Sequence, residues 1–194
     1  RRGFLESSLE AVMQDFQLTL TDAEKGFCKD LVRFVISRHL GLPCEKPSFE
    51  SDTLNAELGA FVTLKKHGRL RGCIGNIVGR GPLIATIERM AGAAAFEDPR
   101  FPPVTVGELE DLEIEISVMG PLTPCPDPEL IEVGRHGLYI RRSMHSGLLL
   151  PQVAKEWGWD RETFLDQTCL KAGLPKGTWR KAKTEIWWFE AVIF

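Results

Sequence analysis

Along the chain the spacing of apolar residues switches from helical to strand-like and back several times. Phe27, Leu31, Phe34 and Val35 follow one another at the spacing of one helix face, and Thr21-Asp22-Ala23-Glu24 ahead of them is a capping box. Gly41 and Pro43 end that pattern, and residues 42–51, which hold Pro43 and Pro47, predict a connecting loop. Residues 59–64 and 69–77 predict two strands around the turn Lys66-His67-Gly68. Pro82 then stands as a first helical residue ahead of a run over 83–96 rich in helix formers and small residues. Asp98-Pro99-Arg100-Phe101-Pro102-Pro103 is neither helix nor central strand, because its prolines remove amide donors and fix the backbone. A loop that stiff can hold a side chain in position.

Residues 112–118 alternate apolar and polar, which predicts a half-buried strand with Glu113 and Glu115 on a solvated face. Residues 121–128 carry four prolines and mark a boundary between two lobes. Residues 137–142 and 147–150 predict a second hairpin, Pro151 opens a short helix to Trp157, and Asp160 caps another that ends at Gly173. The aromatic and β-branched residues of 184–194 predict a terminal strand, on which Trp187 and Trp188 must face opposite sides. Strands joined mostly by hairpins give an α+β fold, a mainly antiparallel sheet flanked by helices. The expected organisation is an N-terminal extension over 1–20 and a single domain over 21–194.

Composition narrows the function classes. With 24 basic and 27 acidic residues the net charge is −3, so a whole-protein pull on nucleic acid or acidic lipid is not expected. The five cysteines are scattered with no Cys-x-x-Cys pair, which argues against a structural zinc, a thioredoxin-like site or an iron–sulfur centre. No metal site is expected, and reduced thiols predict a cytoplasmic protein. No apolar run reaches the roughly 18–20 residues of a membrane span.

The unusual chemistry lies in Leu70-Arg71-Gly72-Cys73-Ile74-Gly75. Strand alternation would put Leu70, Gly72 and Ile74 on the core face, with Arg69, Arg71, Cys73 and Gly75 on the other. Gly72 and Gly75 weaken a strand interior and suit a place where something approaches the backbone closely. Arg71 lies two residues from Cys73, about 6.6 Å along a strand, near enough to favour a thiolate where the site is shielded. Cys73 is thus a candidate nucleophile or acid/base, or else a small buried hydrophobe. Arg69, Arg71 and Arg100 together can hold a phosphate or carboxylate. Glu97 and Asp98 border the proline loop as acid, base or ligand-binding candidates, or as a helix end paired with Arg100. His136 is the candidate base for Cys73; His67 and His145 sit in turns. The stretch Lys176-Gly177-Thr178-Trp179-Arg180-Lys181-Ala182-Lys183 is basic around one aromatic residue, a weak nucleic-acid candidate beside the simpler reading of a solvated loop.

The segment also resembles the signature of the AMMECR domain family. Gly59-Ala60-Phe61-Val62-Thr63-Leu64 leads into it. Asp98-Pro99-Arg100-Phe101-Pro102-Pro103, Ile114-Glu115-Ile116-Ser117-Val118, Gly134-Arg135-His136-Gly137-Leu138 and Leu150-Pro151-Gln152-Val153-Ala154 follow in the family's order, from about Leu20 onward. The chain looks most like the prokaryotic branch labelled protein A of the AmmeMemoRadiSam system. That resemblance implies an α+β fold with a larger and a smaller lobe, and association with a Memo-like protein and a radical S-adenosylmethionine protein. It supplies no activity. Asn76 departs from the family's small hydroxyl residue at that place. Three functions are therefore carried forward: an accessory protein whose arginine-lined site binds an anionic small molecule or a modified partner segment; a cysteine-dependent enzyme; and a weak nucleic-acid binder.

Overall fold

The computed structural model describes residues 18–194. Residues 1–17 of the expected extension lie outside the described residues, while Leu18 and Leu20 are buried in the first core. Helix α1 (Asp22–His39) starts at the capping box: the Thr21 amide donates to Glu24 Oε2 at 2.7 Å and the Glu24 amide to Thr21 Oγ1 at 3.2 Å. After the one-turn helix α2 (Asp52–Asn55) come β1 (Gly59–Lys66) and β2 (Arg69–Asn76). His67 and Gly68 between them have φ of 51° and 69°, the two left-handed residues of a type I′ hairpin turn. Helix α3 (Leu83–Phe96) follows Pro82, which is the N-cap and not the first helical residue.

Strand β3 (Leu112–Met119) leads to the short β4 (Thr123–Pro124) and then to the hairpin β5 (His136–Arg142) and β6 (His145–Leu149). Helices α4 (Pro151–Glu156) and α5 (Arg161–Lys171) precede the final strand β7 (Glu185–Ile193). All pairings are antiparallel, in the order β2-β1-β3-β7-β5-β6, with β4 on β7. The fold is α+β. Among the described residues no helix is long and apolar enough to cross a membrane.

Two cores lie on one face of this sheet. The first packs Leu31, Val32 and Ile36 of α1 and Ile87 and Ala94 of α3 against Val62, Leu64, Ile116 and Val118. The second packs Phe164, Leu165 and Cys169 of α5 against Leu138 and Ile140, with Trp188 and Ile186 at its margin. Side chains alternate along a strand, so the register assigns every residue a face. Val62 opposes Ile116, Val118 opposes Val192, and Leu138 opposes Trp188, all on the helix-covered face. Cys73 opposes Thr63, Thr63 opposes Glu115, and Ser117 opposes Ile193, all on the other face.

The expected alternation of β2 fails at one point. Leu64 pairs with Gly72 but Lys65 pairs with Leu70, so Arg71 is the extra residue of a β-bulge. The bulge swaps faces on one side of it: Gly72 remains inward, while Leu70, expected in the core, is 43% exposed.

Each core seats a helix backbone on a strand glycine. A Cβ on Gly72 would lie 2.1 Å from the Ala94 carbonyl oxygen of α3, and one on Gly147 would lie 2.3 Å from the Ala172 amide nitrogen just beyond α5. Gly72→Ala is therefore expected to lower stability by about 2–3 kcal/mol, since strand and helix must part. Gly92→Ala in α3 is the control, because its Cβ would meet only Val35 Cγ1 at 3.9 Å; the change should be neutral or stabilising by up to about 1 kcal/mol. Urea unfolding of the two variants checks the pair, and equal midpoints would refute the seating argument.

Candidate functional site around Cys73

Strand β2 is an edge strand, paired only with β1. Cys73 and Thr63 face each other where their amides do not bond across, which brings side chains close: Thr63 Oγ1 is 3.2 Å from Cys73 Sγ. The outward amide and carbonyl of Cys73 would otherwise be left for another strand to pair. They are taken instead by the proline loop. Cys73 N–H donates to Asp98 Oδ2 at 2.9 Å, and Arg100 Nη2 donates to the Cys73 carbonyl at 3.2 Å. Arg100 also binds Asp98 twice, Nε to Oδ1 at 2.9 Å and Nη2 to Oδ2 at 2.7 Å, and its own amide donates to Oδ1 at 3.1 Å. Asp98 and Arg100 thus act together as a short strand substitute, which clamps the Cys73 backbone and leaves its thiol half-buried.

Asp98 is buried at 4% exposure, which alone would penalise its charge. The Arg100 guanidinium, helped by the Cys73 and Arg100 amides, outweighs burial and holds its carboxyl far below the ordinary carboxylate range. Arg71 makes a parallel arrangement one step away. Its Nε and Nη2 donate to the two carboxylate oxygens of Glu108 at 2.9 and 3.1 Å, and Nη2 also reaches the Pro103 carbonyl at 3.1 Å. The Arg71 pairing, ahead of burial, lowers Glu108 to about 2. Both arginines therefore fasten the stiff 98–108 segment to β2.

The expected site residues divide accordingly. Cys73, Asp98 and Arg100 come together, with Thr63, which strand pattern alone did not single out. Arg71 is turned to Glu108, so the cation beside Cys73 is Arg100, whose side chain is 54% exposed. Gly72 admits α3, and a Cβ on Gly75 would lie 2.2 Å from the Phe61 ring. Arg69 is exposed at the hairpin, and Glu97 is the exposed C-cap of α3.

His136 does not reach Cys73. It opposes Glu190 on the helix-covered face, four strand steps from β2, on the order of 19 Å across the sheet. It is 8% exposed, accepts from the Glu132 amide at its Nδ1 (3.0 Å), and packs on Trp188 with ring centroids 4.4 Å apart. Strand parity and that separation keep it from pairing with Cys73 as the expected base. The basic stretch 176–183 is also tied down: the Trp179 indole donates to Asp166 at 2.9 Å, and Arg180 lies 3.7 Å from the Trp179 ring while pairing with Glu162. Among the described residues no group of three or more His, Cys, Asp or Glu side chains gathers where a metal ion could be held.

A bulged edge strand with a clamped cysteine, on an antiparallel sheet whose helices α1, α3 and α5 cover the opposite face, defines the protein class, and comparison with known proteins gives it a family. The sequence model of AMMECR1 matches residues 29–194, and the chain belongs to that family. A protein of Methanothermobacter thermautotrophicus is 46% identical over 164 residues, covering 81% of this chain and 83% of its own. Protein TK0174 of Thermococcus kodakarensis is 46% identical over 160 residues, covering 77% of this chain and 78% of its own. The crystal structure of the uncharacterized protein PH0010 from Pyrococcus horikoshii superposes with a TM-score of 0.75 at 40% identity, covering 86% of this chain and 88% of that one.

The clamp has a pH signature. Glu108 has a folded value near 2 against an ordinary 4.5, so the stability it adds is complete above about 4.5 and is lost as pH falls towards 2. Glu108→Gln should cost about 2–4 kcal/mol at pH 7, by leaving the mostly buried Arg71 without its counter-charge. It should also flatten the fall in melting temperature between those pH values. A variant whose acid limb matches the unmodified protein would show that this pair adds no pH-dependent stability.

Proposed function

We propose that the sheet face carrying Cys73 is a binding site for an anionic small molecule or a modified partner segment, with the thiol as its contact group and Arg100 as its cation. The observation that carries this reading is the clamp: Asp98 and Arg100 fix both backbone groups of Cys73, while the residue stays only half-buried beside Thr63. Arg100 Nε and Nη2 are committed to Asp98 and Cys73, and the exposed end of the guanidinium is free to meet an anion. Arg71 contributes by positioning the loop and not by touching the ligand.

Binding is favoured over a self-contained cysteine hydrolase, because the nucleophile–base pair such an enzyme uses is absent from the described residues around Cys73. The Memo-like and radical S-adenosylmethionine proteins that the resemblance implies are the proposed sources of a partner segment, with this chain as their accessory.

Alkylation tests the site directly. Iodoacetate and its neutral counterpart iodoacetamide are compared at each cysteine by peptide mass spectrometry. Cys28, buried and pushed up to about 12 chiefly by desolvation, and buried Cys169 serve as protected controls, and exposed Cys44 as the open one. Cys73 should favour iodoacetate over iodoacetamide about 3–5 times more than Cys44 does, equivalent to roughly 1 kcal/mol for one partly exposed cation. Arg100→Ala should remove that preference. Protection of Cys73 from both reagents, or a ratio equal to that of Cys44, would overturn the proposal.

A further inference from the structure

Residues of α1, of α3 and of the connector after α1 line an open groove of about 540 Å³, within the size range of small-molecule sites. Part of its lining is apolar, from Phe34, Val35 and Ala85. The rest is mostly basic: Arg38 and His39 come from α1, Arg89 from α3 and Lys46 from the connector. Glu88 is the groove's one acid and is paired with Lys46. The groove therefore carries an excess of positive charge within a chain whose net charge is −3. Among the described residues the Arg38 side chain has no carboxylate partner, so its guanidinium is open to a ligand.

Two further details narrow the ligand. His39 lies flat on Phe96, with ring centroids 3.8 Å apart and planes inclined by 15°, and it remains exposed, so a second flat ring can extend the stack. Asn76, in the amide orientation that satisfies both its ends, accepts from the Arg89 guanidinium and fixes that cation from the end of β2. Cations beside an apolar part of the lining and the start of an aromatic stack suit an anion joined to a planar group.

We infer that this groove is a second binding site, for a phosphate-bearing small molecule with a flat apolar body, of nucleotide size. Arg38 and Arg89 hold the phosphate, Lys46 offsets Glu88, and the body lies over Phe34 and Val35 against His39. The site is separate from Cys73, which sits on the opposite face of the sheet.

Titration calorimetry of the full chain at low salt, with pyrophosphate and adenosine diphosphate as probes, tests it. Saturable one-to-one binding is expected for both, with the diphosphate ester the tighter through its planar group. Arg38→Ala, a change at an exposed side chain, should weaken binding at least tenfold, and adding Arg89→Ala should weaken it further. Cys73→Ala should leave it unchanged, which separates this site from the one proposed above. Absence of saturable binding below about 1 mM, or equal affinity in the Arg38→Ala variant, would overturn the inference. So would a short oligonucleotide binding more tightly than either probe, since that would identify an extended surface and not a site of nucleotide size.

Discussion

One strand belongs to both halves of this molecule, and its pairing decides what every other residue can meet. The end of β7 from Ala191 to Ile193 lies against β3, while the part from Glu185 to Glu190 lies against β5. A pleated strand has two faces and no third, so carrying β7 unbroken from one half to the other locks their parity together. Helices α1, α3 and α5 must then cover the same face of the sheet. The other face runs from Cys73 and Thr63 through Ser117 and Phe189 to Trp187 and Tyr139. A slip of one residue between β7 and β5 would exchange Trp188 with Trp187 and expose the second core. The separation of His136 from Cys73 follows from that parity.

The second constraint is the free edge at β2. An edge strand offers unpaired amides and carbonyls to any passing chain, and proteins commonly answer with bulges, charges or a covering loop. Here all three act within a few residues: the bulge at Arg71, the Asp98–Arg100 pair across the backbone of Cys73, and the loop held down by Arg71 on Glu108. Protecting the edge this way has a local consequence. The peptide groups of Cys73 cannot shift without breaking charge-assisted bonds, so the backbone that carries its thiol is held in one place.

Much of the fold was legible from periodicity. The capping box at Thr21, the helix over Leu83–Phe96 and the two hairpins all rest on short-range rules, and the opposed tryptophans 187 and 188 follow from strand geometry alone. The stiffness of the 98–103 loop was legible too, since proline fixes its own backbone wherever it stands. What the loop holds was not, because the bond from Cys73 to Asp98 spans 25 residues and depends on the path taken by α3. The bulge was hidden for a related reason: Arg71 is extra only relative to β1, and no property of β2 by itself shows that. The same gap made Arg71 look like the cation beside Cys73 when that cation is Arg100. Thr63 was unreadable as a neighbour of the thiol until the hairpin register fixed Thr63 opposite Cys73.

The signature can now be divided by what the fold requires of each residue. Gly72 is required by the backbone of α3, and Gly75 by the ring of Phe61, an arrangement repeated where Phe189 lies over Gly137. Arg71 is required by Glu108 and the bulge, and Ile74 packs against the first core. Leu70 is exposed at the hairpin, as single apolar side chains often are. Cys73 differs from all of these. Its backbone is held by Asp98 and Arg100, and among the described residues the hydrogen-bond partner of its thiol is the Thr63 hydroxyl, which a serine here would also serve. Packing accounts for the glycines and edge protection accounts for the arginine, and neither calls for a sulfur atom. That remainder is why function is sought at the thiol and not at the more conspicuous charges around it.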